Sequence, residues 1–360
     1  MQRLRRVLKV ERYFDCDLRA LDNLYNHNGD LVVQKDKVYD SISFPFELYH
    51  LSYVAQVPVK YLTFLPARKK RLRSIFFPYW SKNFFKKMEI EELASSYISR
   101  DKISKALNDP RFNEKTVKAY LYILKQMTSI FTYSEFSLDN YQKVYNIVKN
   151  VCHFDREGLF KVLCYFRKKV DSTEVHSISV MLLMLQVVFG LRQNRFRPWC
   201  KKLLKEGKLK LSREKILSIG MGALLHDYGK VFVNEDIIDK DSSLALGELD
   251  LIRMHPYYGV RALSLMKVVD STMLDIVGNH HYRYRVDETK QSLIAQICNI
   301  VDIYDACRAP RPYKEDFSFN ITKEILQKEN SFCKWNYALY AFIFDKELSI
   351  IEAQMQEAKS

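Results

Sequence analysis

The chain has 360 residues, 48% of them hydrophobic and 13% aromatic, and a formal net charge of +14. That length exceeds one ordinary core and points to two domains, while only 10 Gly and 9 Pro exclude a largely disordered or collagen-like chain. The longest apolar run, Val180 to Leu191, falls short of the roughly 20 residues that span a bilayer; the basic N-terminus lacks the apolar region and cleavage site of a signal peptide, so a cytoplasmic protein is expected.

The first 65 residues alternate short β-rich pieces with turn signals. "NHNGDLVVQ" carries an Asn-Gly turn and "VPVKYLTFLP" is a β-branched and aromatic run closed by prolines, which predicts a small β-containing domain. Residues 66–88 follow with eight Lys and Arg and no acid, interleaved with Phe76, Phe77, Trp80, Phe84 and Phe85. Positive charge favours anionic partners, and this segment suits a membrane surface or a protein contact, or simply a solvated basic face. No specific nucleic-acid partner is expected. A sensory, homodimerising or membrane-surface role would each fit the upstream region.

From Glu89 the periodicity becomes helical. "NEKTVKAYLYILKQMTSIF" places Val117, Tyr120, Leu121, Leu124 and Met127 on one face, and "LDNYQKVYNIVKNV" repeats the pattern with Tyr141, Val144, Tyr145 and Val148. Beyond residue 155 nearly every segment reads as helix, including "SREKILSIGMGALLHDYG" and "LGELDLIRMHPYYGVRALSLM". The expected fold is α+β overall, with a β-containing N-terminal domain and connecting helices over 1–140 and an all-α domain over 141–360. Seven scattered cysteines without a C-x-x-C pair fit reduced thiols.

Of eight histidines, His27, His50 and His153 come early and lack obvious partners. His176, His226, His255, His280 and His281 sit near the ends of apolar helices, with Asp227 and Asp302 among them. A lone histidine beside an apolar face is ordinarily a satisfied core residue, but five would each need a buried partner of their own. A metal centre gives them a shared one. Seven candidate ligands exceed the needs of one cation, so two divalent ions bridged by Asp227 are the economical reading. Two cations ~3.5 to 4 Å apart suit phosphoester hydrolysis, because they bind phosphate oxygens and acidify a water held between them into a hydroxide nucleophile. Lys230 would bring positive charge to the phosphate, and Gly229 would end the helix so that the lysine can turn inward.

His176, "HDYGK" at His226 to Lys230, "HP" at His255, "HH" at His280, "DIYDA" at Asp302 and "RPYK" at Arg311 to Lys314, taken in this order from Asp171 to Tyr313, resemble the HD-GYP phosphodiesterases of the HD-domain superfamily. The resemblance implies an all-helical domain with iron or manganese ions that hydrolyses cyclic di-GMP to pGpG or GMP. It also implies one metal on His176, His226, Asp227 and Asp302, and a second on Asp227, His255, His280 and His281. Lys230, Arg311 and Lys314 match positions that contact the ligand's phosphates or guanine, and Asp227 with Lys230 would carry the catalysis. Asp305 is expected to orient the loop rather than to ligate. A non-catalytic cyclic di-GMP-binding module, or an HD-superfamily phosphohydrolase for another nucleotide, is the alternative.

Two departures stand out. After His281 the chain has "YRYRVDETKQS", which is shorter than the family's glycine-rich stretch and lacks its Gly-Tyr-Pro tripeptide; Tyr282 and Tyr284 are the nearest tyrosines, each read first as a solvated loop residue. Members with a third metal carry a glutamate where this chain has Ser172, and Glu174 lies on the wrong helix face to replace it, so a binuclear centre is expected.

Overall fold

Capping residues decide where most helices of this chain begin. In the computed structural model the described residues are 98–359, apart from 133–135, 168–171, 195–196, 239, 241–242, 267–268, 284–290 and 310–316, together with four short strands upstream. The helices that build the site are α1 (Glu114–Phe131), α2 (Leu138–Val151), α3 (Arg156–Arg167), α4 (Thr173–Gln193), α5 (Arg213–Leu224), α6 (His255–Ser264), α7 (Ser271–Asn279), α8 (Leu293–Arg308), α9 (Phe319–Cys333) and α10 (Leu348–Lys359). Asn113, Ser137, Ser172, Ser212, Asp270, Ser292 and Ser318 each accept a bond from a first-turn amide of the helix that follows. Such a cap contributes about 1 kcal/mol.

Packing follows the apolar stripes. The predicted face of α1 is fully buried at Val117, Tyr120, Leu121, Leu124 and Met127; on α2, Val144 and Val148 are buried while Tyr141 and Tyr145 are only partly covered. Helix α4 is apolar all round and sits at the centre, against α5, α8, α1 and α3. By length and apolarity it could cross a membrane, but its surface is taken up by these neighbours. One hydrophobic core runs from Ile98 to Ile351, on both sides of position 140. The six described cysteines are free thiols.

Two expectations need correction here. The α+β class is not upheld: the described residues that pack into a core are all-α, and a β-containing N-terminal domain is not seen. Upstream of residue 98 the described backbone consists of antiparallel pieces only two to five residues long, at Leu24–Tyr25, Leu31–Val33, Leu48–Leu51 and Pro58–Leu62. The β-branched and aromatic runs express local strand propensity, and the pieces pair in the order Leu31–Val33, Leu24–Tyr25, Leu48–Leu51, Pro58–Leu62. The basic 66–88 segment lies outside the described residues. Second, "LGELDLIRMHPYYGVRALSLM" is not one helix. It breaks at Met254 into Leu246–Arg253 and α6, because Pro256 has no amide proton to continue the ladder and fits only a first turn. The break leaves His255 at the junction, where its side chain can turn inward.

Candidate metal centre

Three of the histidines follow one local rule. His226 lies just past α5, His255 just past Leu246–Arg253, and His280 just past α7. The last carbonyls of a helix lack intrahelical partners, and each imidazole supplies one. His226 Nδ1 donates to Ala223 O at 2.8 Å, His255 Nδ1 to Ile252 O at 2.7 Å, and His280 Nδ1 to Val277 O at 3.0 Å. A carbonyl only accepts, so Nδ1 carries a proton and each Nε2 is turned to the interior, where the neutral imidazole offers its lone pair.

Those lone pairs converge. His255 Nε2 and His280 Nε2 are 3.1 Å apart, an arrangement of two acceptors that requires a proton or a cation between them. His226 Nε2 is buried without a hydrogen-bond partner. Asp227 stands between the two halves: Oδ1 is 3.1 Å from His255 Nε2, while Oδ2 is 3.4 Å from His226 Nε2 and 3.7 Å from His176 Nε2. Asp302 Oδ1 is 2.9 Å from His176 Nε2 and 3.8 Å from His226 Nε2, and its Oδ2 is 3.9 Å from His281 Nδ1. Three overlapping groups with ligand-type spacing result: Asp227 with His255, His280 and His281; His176 with His226 and Asp227; and His226 with His280 and Asp302. All seven predicted ligands are thus brought together, and this His/Asp cluster is able to bind metal.

The ionisation states suit that use. Burial, reinforced by the surrounding imidazoles, lowers His280 well below the usual histidine range. Burial likewise outweighs the pull of Asp302 and brings His281 down to about 3. Burial raises Asp227 and Asp302 less than their neighbours lower them, chiefly Lys230 and His226 for the first and His176 for the second, so both are anionic. His176 differs: burial opposes its proton, but hydrogen bonds to Asp302 and Asp305 push it up to about 10. Its protonated Nε2 faces Asp302 Oδ1 at 2.9 Å.

Lys230 Nζ binds Asp227 Oδ2 at 2.7 Å and lines a cavity of about 820 Å³ that also takes in His176, Asp227, Asp302, Arg253 and Arg283. The expected reason for Gly229 is corrected. Helix α5 has already ended at Leu224, and Gly229 lies inside a tight turn over Tyr228–Phe232. A Cβ at Gly229 would lie 1.9 Å from the carbonyl oxygen of His255 and 2.6 Å from the amide nitrogen of Gly259. The glycine therefore lets the "HDYGK" turn seat directly on the first turn of α6.

Residues 178–332 match the HD domain family. Over 155 residues the chain is 29% identical to the cyclic di-GMP phosphodiesterase PA4108 of Pseudomonas aeruginosa, covering 41% of this chain and 33% of that protein. It is 30% identical over 122 residues to the cyclic di-GMP phosphodiesterase response regulator RpfG of Xanthomonas campestris, covering 31% and 32%. A 3'3'-cGAMP-specific phosphodiesterase 1 of Vibrio cholerae is 28% identical over 180 residues, covering 46% and 41%. The part of this chain from 178 to 332 is thus similar to an HD domain. The similarity spans well under half the length of each of these relatives.

The remaining predicted positions around the HD domain divide. Tyr282 lines the cavity, whereas Tyr284, Arg311 and Lys314 lie outside the described residues. Ser172 caps α4 through the Val175 amide, which gives the residue at the third-metal position a structural task. Neither Ser172 nor Glu174 belongs to any potential metal group among the described residues. His153 meets Arg213 at 2.8 Å, away from the cluster. Sequence reasoning missed Arg167 and Ser179, which contact Asp305. Their only trace in the sequence is a charged and a polar residue in otherwise apolar helical stretches.

Proposed function

We propose that the HD domain is a metal-dependent phosphodiesterase that hydrolyses cyclic di-GMP to pGpG, GMP or both, using two divalent ions, iron or manganese, shared through Asp227. The observation that carries this reading is the position of Asp227, with one oxygen facing His255 and the other facing His226 and His176. The names of the relatives PA4108 and RpfG support cyclic di-GMP as substrate. His176, His226, Asp227 and Asp302 would hold one ion, and Asp227, His255, His280 and His281 the other. When bound, the ions neutralise phosphate oxygens and lower the pKa of an attacking water.

The chain's own residues do the rest. The helix-end carbonyls fix the imidazole tautomers, Asp227 and Asp302 supply the negative charge that retains divalent ions, and the cavity admits a ligand of small-molecule size. Lys230 directs its ammonium to the edge of the cluster nearest the cavity, where it can pair with a phosphate. Arg311 and Lys314 are proposed to complete that clamp.

Replacing Lys230 by Ala is expected to leave both metals in place and lower kcat/KM about 10- to 100-fold, the worth of one hydrogen bond to a charged group. Metal quantification and steady-state kinetics on one sample check this; metal loss in that variant would reassign Lys230 to holding Asp227.

The decisive assay incubates anaerobically iron- or manganese-loaded protein with cyclic di-GMP and with 3'3'-cGAMP, and identifies products by mass. Formation of pGpG or GMP from the first is expected. Preferential cleavage of the second would move the substrate toward that of the Vibrio relative. The short loop after His281 favours one rival, a non-catalytic receptor, which would bind the dinucleotide and release no product.

A further inference from the structure

Asp305 lies three residues beyond Asp302 on α8, and both of its oxygens are occupied. Oδ1 accepts from Arg167 Nη1 at 2.5 Å and from the Ser179 hydroxyl, while Oδ2 accepts from Arg167 Nη2 at 2.6 Å and from His176 Nδ1 at 2.7 Å. A carboxylate that already receives four donors has no lone pair left for a cation. Its influence on the cluster must pass through His176, whose Nδ1 it holds so that Nε2 faces Asp302 and Asp227.

Arg167 ends α3, 138 residues from Asp305 along the chain, and the pair is almost entirely buried. Helix α3 packs on α1, α4 and α10, and its last turn is fixed to α1 by parallel stacking of Phe166 on Tyr120 at 5.6 Å. It lies upstream of the HD-family match at 178–332. The two-pronged guanidinium is rigid and planar, so a rotation or slide of α3 moves the Asp305 carboxylate with it.

We propose that Arg167 is a positioning residue of the metal centre: it converts the placement of α3 into the orientation of His176 through Asp305, so that displacing α3 weakens cation binding at the position His176 serves. The proposal rests on His176 being a ligand, as proposed above. It gives the upstream helices a route to the metal without touching it.

The test is titration of the metal-free full chain with Mn²⁺ alone, followed by the electron paramagnetic resonance signal of free ion, with circular dichroism on the same samples. Wild type should bind two ions. Arg167→Met should weaken one of them about 10- to 100-fold, as outer-shell changes do, and leave the other unchanged. Because removing one member of a buried ion pair can prevent folding, Arg167→Lys is measured beside it. It keeps the charge but loses the fork, and should show the same one-site defect in smaller degree. Folded variants that bind both ions like wild type, or that weaken both sites equally, would overturn the positioning role. A wild-type chain that binds no Mn²⁺ would overturn the metal-centre reading along with it.

Discussion

Replacing Asp227 by Ala should strip the HD domain of both metals and abolish hydrolysis. Asp227 is the only anionic member of the group formed with His255, His280 and His281, so its loss leaves three imidazoles without a balancing charge. The other group loses the oxygen that faces both His176 and His226 and keeps only Asp302 as its anion. Asp302 also faces both halves, but its oxygens stand 3.8 Å from His226 Nε2 and 3.9 Å from His281 Nδ1, so it compensates only weakly for the loss of Asp227. Metal content should fall from about two per chain to well under one, and turnover by on the order of 10³ or more, about 4 kcal/mol of lost transition-state stabilisation. Elemental analysis of the purified variant beside product formation reads both quantities. Two retained metals would sink the shared-carboxylate assignment.

The second large effect is expected at a residue with no side chain to ligate. Gly229→Ala places a methyl group 1.9 Å from the His255 carbonyl oxygen and 2.6 Å from the Gly259 amide nitrogen, and neither backbone atom can rotate away as a side-chain tip would. Overpacking a close contact costs typically 1–3 kcal/mol, and two backbone neighbours put this site near the top of that range. The strain falls on the start of α6, which carries His255, so occupancy of the group containing His255 should drop before the remaining ligands are affected. Denaturant unfolding and metal content of Gly229→Ala check the two halves of this expectation. A variant as stable and as fully loaded as wild type would mean that the turn over Tyr228–Phe232 relaxes without cost.

The clustering of these histidines and aspartates was legible because metal binding restricts residue type so severely. Little besides ligation would gather five histidines and two aspartates at helix ends, and their order along the chain carried the resemblance. What binds the other face of the ligands was not legible, since nothing about Arg167 or Ser179 in sequence tells that they meet across 138 and 126 residues at Asp305. That meeting is a product of helix packing. Local rules also failed where tertiary contact overrode them. Gly229 looked like a helix terminator and is instead a point of backbone approach, while an uninterrupted apolar rhythm concealed the break before Pro256. The upstream strand propensities surface only as short paired pieces of two to five residues.

The anchoring of His226, His255 and His280 to carbonyls at helix termini has a bearing on which ion the site can hold. Flexible side chains on loops could swing to suit a larger or smaller cation. Here the donor atoms are fixed by whole helices, and the ordering cost is met when the protein folds rather than when the ion arrives. The aperture among these nitrogens is therefore set by interhelical spacing, and exchanging one ion for another of different radius means shifting helices rather than turning rings.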